Sequence, residues 1–286
     1  MGKANIKILY AAYIIGIGLF FLYYLFPSKT FSDYLKSKIE QAAPDFTITI
    51  EDVRPVFPLG LKFVNLRVEN KGTPVLDAQR LSVTPGFLSL FAGRIAVDID
   101  CKAYKGEIEA ALDFKGKDFM VSAADVEFNH VQIGDILFLK NRMPHNLIGS
   151  LDGQVNYETG ENSKQIFKSD FVLTDFIIEF SSPFHGLEKL SLKKIEANFE
   201  SDRSEVKVNR FLNKGGDVDG SLSGTVLINR KLEKSVLNLN GTINPNPVFT
   251  DKLGELGPIV KRILKKSSED GFPVKIQGTF EKPRFF

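Results

Sequence analysis

Tryptophan is absent from this 286-residue chain, and cysteine occurs once, at position 101. A single cysteine excludes an intrachain disulfide, so the folded chain must be held together by packing alone. Histidine is also scarce: His130, His145 and His185 lie far apart in the sequence and predict no metal site. Charges of both signs are interspersed and the net charge is only +2, which argues against a nucleic-acid partner.

The sequence motifs of common enzyme classes are also missing. The chain contains no G-x-S-x-G nucleophile elbow, no glycine-rich phosphate loop and no H-E-x-x-H zinc motif. Cys101 falls on the apolar side of an alternating segment, which predicts a small buried side chain rather than a catalytic thiol. We therefore expect a protein that is not an enzyme and that has no cofactor, no metal ion and no small-molecule substrate.

A long apolar run is present near the N-terminus. Residues 8–26 form an uncharged stretch of 19 residues, long enough to cross the hydrocarbon core of a bilayer as a helix. Lys3 and Lys7 precede it, which predicts that residues 1–7 are a cytoplasmic tail. A cleaved signal peptide is the alternative, but its apolar region is usually shorter, and no A-x-A-like site follows this run. The favoured prediction is an uncleaved transmembrane anchor over residues 8–26.

A short amphipathic helix is predicted over residues 27–45, directly after the anchor. Phe31, Leu35 and Ile39 recur there at helical spacing, and Pro44 ends the pattern. Such a juxtamembrane helix has two possible positions. It lies on the bilayer surface, or it packs against the rest of its own chain, which is the favoured alternative.

From residue 46 to residue 286 the apolar period changes to two, which predicts a β-rich domain. The clearest hairpin joins residues 95–101 to residues 108–114 through a turn at Tyr104-Lys105-Gly106. Further strands are expected at 46–51, 61–68, 119–128, 150–157, 169–180, 188–200, 204–211, 218–229, 235–243 and 274–280. Helices are expected at 133–139 and 253–264, with a helical turn at 86–91.

Two glycine-containing segments resemble each other, Gly149–Val155 and Gly220–Val226. Small residues inside strands permit sharp bends in a long curved sheet. Two independent tight turns explain the same pattern nearly as well.

The candidate binding surface is the apolar side of the predicted hairpin. Its members are Ile95, Val97, Ile99, Ile108, Leu112 and Phe114. The alternation fits either a closed core between two packed sheets or a groove that leaves one apolar face open.

Several motifs together resemble the type II secretion system protein N family, which is itself similar to AsmA-like envelope proteins. The motifs are the apolar run ending in Phe26-Pro27, the segments Val53–Leu61 and Asn65–Val68, the hairpin after Gly93-Arg94, the segment Gly220–Val226 and the closing segment Pro273–Pro283. The resemblance implies a bacterial inner-membrane protein with one span and its bulk in the periplasm. It also implies an accessory role in secretion through contacts with other subunits, and it supplies no catalytic residues.

The similarity to AsmA-like proteins implies a large curved antiparallel sheet that forms an open groove, associated with membrane lipids. The expected fold is therefore mainly β: a transmembrane helix, a short amphipathic helix and a curved sheet, as an open groove or a sandwich, with a few short helices. The expected function is a non-enzymatic accessory of a type II secretion system. The alternative is a module that binds or transfers lipid in an apolar groove, and the 25 phenylalanines favour such a dry surface.

Overall fold

The computed structural model of the chain describes residues 3–86, 95–115, 120–160, 165–184, 186–202, 204–254, 257–258, 262 and 271–286. Two helices come first, α1 (Lys3–Tyr24) and α2 (Ser28–Ala42). The strands that follow form one antiparallel sheet of fifteen strands within the described residues. From β3 to β15 the order of strands in the sheet is their order in the chain, and β1 and β2 both pair with β3.

The strands and the remaining helices have the following bounds. The strands are β1 (Phe46–Thr49), β2 (Asp52–Val56), β3 (Gly60–Asn70), β4 (Thr73–Pro85), β5 (Ile95–Ala103), β6 (Gly106–Lys115), β7 (Met120–Gln132), β8 (Asn146–Thr159), β9 (Gln165–Phe184), β10 (Leu187–Asp202), β11 (Glu205–Gly216), β12 (Val218–Leu227), β13 (Val236–Pro245), β14 (Phe272–Thr279) and β15 (Pro283–Phe285). The short helices are α3 (Leu137–Arg142) and α4 (Pro247–Lys252), with 3₁₀ turns at Ile133–Asp135 and Leu232–Lys234.

The hairpin of β5 and β6 follows from its turn. Ala103 pairs with Gly106 across the turn, and Tyr104 and Lys105 have φ angles of 52° and 59°. Two successive residues in the left-handed region give a two-residue turn whose twist matches that of the flanking strands. This turn sets the register in which Cys101 faces Ile108.

The predicted strands all overlap observed ones, but three observed strands were not predicted. They are β2, β4 and β15, and each of them contains proline: Pro55 in β2, Pro74 and Pro85 in β4, and Pro283 in β15. The predicted strand 46–51 ends at Thr49, because a separate strand begins at Asp52. The predicted helix 133–139 is a 3₁₀ turn followed by α3. The turn at 86–91 lies outside the described residues except for its first residue, and more than half of the helix at 253–264 lies outside them.

Most of the described side chains of α1 are exposed. Ile14 is 68% exposed, Phe20 61% and Tyr24 76%, and space is open within 4 Å of a Cβ placed at Gly16 or Gly18. Measured over the residues that the structure describes, none of the helices combines the length with the apolar character that crossing a bilayer requires. The anchor over residues 8–26 stays a prediction.

The amphipathic helix packs against the sheet, as the favoured alternative predicted. Phe31 of α2, together with Phe26, lies against a cluster of buried side chains from β2 to β5 and the adjoining loop, and Ser32 of the same helix is buried. The buried members of this cluster are Ile50, Val53, Leu66, Ala78, Cys101 and Ala103. The helix thereby covers one end of the sheet, beside β1 and β2.

The sheet is a single open layer over most of its extent. The chain exposes 19320 Å² of accessible surface, whereas a compact protein of this mass exposes about 12,000 Å². All the strands within the described ranges belong to one sheet, so these residues do not form the two-sheet sandwich that the alternation also allowed.

The Cys101 thiol is expected to resist modification in the folded chain. Cys101 is 6% exposed, and burial raises the pKa of its thiol. A raised pKa lowers the thiolate fraction near neutral pH, so we expect a maleimide to react at least about tenfold more slowly than in the urea-unfolded chain. The rate of adduct formation at fixed pH measures this, and equal rates in the two states would contradict the burial.

Candidate functional site

The six residues predicted as a candidate surface lie on the same face of the sheet. Ile95 pairs with Phe114, Val97 with Leu112, and Cys101 with Ile108. Residues that pair directly across two strands point to the same side, and Ile99 is two residues from Val97. The structure therefore brings Ile95, Val97, Ile99, Ile108, Leu112 and Phe114 together, while their role in binding stays a prediction.

This side of the sheet, here called the apolar face, continues in both directions from the hairpin. Val83 of β4 pairs with Ile99, and Val126 of β7 pairs with Ala110. The pairing carries the same face onward through the following strands. Its members there include Val155 of β8, Phe171 of β9, Ile195 of β10, Val208 of β11, Val226 of β12, Leu237 of β13 and Ile276 of β14.

Side chains on the apolar face range from exposed to buried. Ile95 is 39% exposed, while Val97 and Leu112 are half-buried. Toward the later strands, Val208 and Val226 are each only 7% exposed, with Phe199, Phe211 and Leu239 among the rings and side chains packed against them. A side chain on one face of a single sheet is buried this deeply only where neighbours close over it. The apolar face is therefore recessed at these strands and more open at the Ile95 end of β5, whereas Cys101 at the other end of that strand is buried.

Glycines on the apolar face allow the strands to approach closely. A Cβ at Gly220 would lie 2.7 Å from the carbonyl oxygen of Thr242, and one at Gly241 would overlap the carbonyl oxygen of Ser221. Real Cβ atoms essentially never lie within 3.0 Å of such an atom, so a larger residue at either position would force the strands to shift. The similar segments Gly149–Val155 and Gly220–Val226 lie inside β8 and β12 and are not tight turns.

Aromatic rings also meet across a glycine on this face. The ring centroids of Phe128 on β7 and Phe171 on β9 are 6.1 Å apart, although β8 lies between their strands. Gly153 is the residue of β8 that pairs with both of them. Without a side chain at Gly153, the two rings can pack over the strand, with 56° between their planes.

An apolar pocket of about 420 Å³ lies on this face beside the end of α1. Three parts of the chain form its walls. They are the residues Tyr23 and Phe26, the β2–β3 segment with Pro55, Leu59, Gly60 and Leu61, and the residues Val83, Pro85 and Val97 on β4 and β5. Of the six predicted residues, only Val97 is in this pocket. The sequence analysis did not predict the β4 residues of this pocket. The alternation of Leu81, Val83 and Pro85 was the signal that could have found them, because it indicates a further strand with the same apolar side.

The opposite face of the sheet is polar, with two adjoining depressions of about 710 and 670 Å³. Two of the carboxylates that line them accept hydrogen bonds from arginines: Arg210 donates to Glu196 at 2.6 Å and Arg80 to Asp100 at 3.2 Å. A hydrogen bond from Lys194 is the main cause of a lowered pKa at Glu196. Within the described ranges, no group of His, Cys, Asp and Glu side chains has the arrangement of a metal site.

Comparisons with known proteins returned nothing for this chain: no family model, no curated protein and no solved structure matches it significantly. The resemblance to the type II secretion system protein N family stays a prediction based on the sequence motifs.

Proposed function

We propose that this protein is a membrane-attached, non-enzymatic protein of the bacterial cell envelope whose apolar face binds the acyl chains of lipids. The observation that carries the proposal is the open apolar face, which leads into the apolar pocket beside α1. Exposing apolar surface to water costs about 25 cal/mol per Å². An apolar occupant removes that cost, and a lipid chain is the commonest one at a membrane.

The lining of the pocket favours a lipid over a polar small molecule. Sites for polar ligands carry a few well-placed polar groups among apolar ones. In this pocket the Tyr23 hydroxyl is the polar side-chain group of the lining, and it already donates to the Pro58 carbonyl oxygen at 3.2 Å. At about 4.8 Å per strand, the apolar face extends over roughly 60 Å of sheet, which suits long, flexible chains.

Membrane attachment is proposed to occur through residues 8–26, with the N-terminus in the cytoplasm and residues 46–286 in the periplasm. The exposed apolar side chains of α1, such as Tyr13 at 63% and Phe20 at 61%, support this. A helix with apolar residues around its whole circumference is stable in an apolar environment and not in water. Lys3 and Lys7 support the cytoplasmic orientation of the N-terminus.

The second candidate function is an accessory of a type II secretion system that acts through contacts with other envelope subunits. One structural feature favours it: α2 covers the β1–β2 end of the sheet, while β15 forms the other edge. Phe285 and Phe286 are each 67% exposed at that edge. An exposed strand edge can accept a strand from a partner.

Photocrosslinking in cells tests the lipid proposal directly. Benzoylphenylalanine is placed at position 155, where Val155 lies on the apolar face of β8, or at the neighbouring position 154, where Gln154 is exposed on the polar face. β8 lies four strands beyond β4, so crosslinking at position 155 does not report lipid around α1.

The expected result is a lipid adduct, found by mass spectrometry of the full chain, at position 155 and not at position 154. Adducts at neither position would refute lipid binding by the apolar face. Equal adducts at both positions would mean that lipid contacts the sheet without regard to face, which also refutes the proposal.

A further inference from the structure

The turn between β2 and β3 has an unusual composition for a hairpin. It consists of Phe57, Pro58 and Leu59, here called the hairpin tip. Turn positions usually carry Gly, Asn, Asp or Ser, whose side chains suit water. In this turn Phe57 is 73% exposed and Leu59 is 50% exposed. Two large apolar side chains therefore project from the fold at one point.

The hairpin tip is held against the end of α1. The Tyr23 hydroxyl donates a hydrogen bond to the Pro58 carbonyl oxygen at 3.2 Å. Just beyond Tyr23, Tyr24 is 76% exposed and Leu25 is 66% exposed. The tip thus continues the exposed apolar surface of α1, and this continuity identifies a bilayer as the matching partner.

Cationic side chains flank the hairpin tip. Arg54 of β2 and Lys62 of β3 are directly paired across the two strands. Between them, residues 55–61 carry no charge. Like charges directly opposite each other disfavour strand pairing, and Asp52 offsets this in part through its 2.6 Å ion pair with Arg54. In a segment inserted into an anionic membrane, apolar side chains enter the acyl region while neighbouring cations contact the lipid headgroups. The hairpin tip and its two flanking cations have this arrangement.

The apolar pocket opens at the same place. Leu59 of the tip lines it together with Tyr23 and Phe26, and Val97 carries the lining onto the apolar face. We propose that the hairpin tip inserts into the bilayer interface and forms the entry through which an acyl chain passes from the membrane to the apolar face. This inference rests on the proposed function for its lipid cargo.

The absence of tryptophan from the chain makes insertion directly measurable. The full-length Phe57→Trp variant is reconstituted into vesicles of phosphatidylethanolamine and phosphatidylglycerol, with and without brominated acyl chains. We expect blue-shifted emission that brominated lipid quenches by at least about half, as for a ring below the headgroups. The matched control is Phe285→Trp, also an exposed ring, at the far edge of the sheet. Emission of Phe57→Trp that resembles the control and is not quenched would overturn insertion.

Entry is tested with the double variant Phe57→Ser/Leu59→Ser and the control Phe285→Ser/Phe286→Ser. Each carries benzoylphenylalanine at position 155, and the rate of lipid adduct formation is measured after mixing with those vesicles. Removing two inserted apolar side chains is expected to slow loading on the order of tenfold, with no change in the control.

The possible failures can be told apart. An unchanged loading rate in the tip variant, with adducts still formed, would overturn the entry while leaving the proposed function in place. No adduct in the otherwise unaltered chain would overturn the proposed function and the entry together.

Discussion

Val97→Asp is expected to leave the protein folded and to remove most of its bound lipid. Val97 is half-buried and pairs with Pro85 on β4 and Leu112 on β6. Because the apolar face is open here, the new carboxylate can turn toward water. We therefore expect the free energy of unfolding to fall by less than about 2 kcal/mol. A charge beside an acyl chain is costly, so bound lipid should fall about tenfold.

Two measurements on the full chain check this expectation: urea-induced unfolding in detergent, and lipid content after purification. Thr225→Asp is the control, because it adds the same charge on the polar face, opposite Lys207. It should change neither quantity. A collapse of stability in Val97→Asp would show that the apolar face is closed at β5. Full retention of lipid would show that lipid does not occupy this part of the face.

Gly241→Ala is expected to destabilise the fold more than any surface substitution. Gly241 lies on β13 opposite Leu222 of β12 and Val274 of β14. An added Cβ would overlap the carbonyl oxygen of Ser221 and lie 2.9 Å from the Leu222 Cα. Both are backbone atoms, so relief requires that β12 and β13 move apart. The expected loss is about 3 kcal/mol or more of the free energy of unfolding.

The neighbouring substitution Asn240→Ala is the matched control for Gly241→Ala. Asn240 is exposed on the polar face of the same strand, so its loss should cost no more than about 0.5 kcal/mol. The midpoints of urea unfolding compare the two variants. A difference of less than about 1 kcal/mol would mean that the strands are not in close contact at Gly241.

Alternating residues predicted the strands that are long and regular, and failed where other features interrupt the period. The hairpin of β5 and β6 was predicted because its apolar side is unbroken and its turn has a clear signal. β4 was not predicted, although Leu81, Val83 and Pro85 alternate, because its first half lacks a strict period. β2 and β15 are short and contain Pro55 and Pro283, which weaken a strand signal while suiting the edge of a sheet.

The hairpin tip was not predicted as a site for a different reason. The sequence Phe57-Pro58-Leu59 shows apolar residues, but nothing in it indicates whether they are buried or exposed. Their meaning depends on Tyr23, which is 35 residues away from Pro58 and donates to its carbonyl oxygen. Contacts of this kind arise from how α1 meets the sheet, and no local pattern encodes them.

The sequence by itself determined which side chains share a face, because the side chains of an extended chain alternate with a period of two. It also determined the turn of the central hairpin and the placement of Cys101 on the apolar side. Only the tertiary structure decided what covers that side. One apolar face serves equally well in a sandwich or in an open sheet, and the strand pairing from β1 to β15 placed the described strands in a single layer.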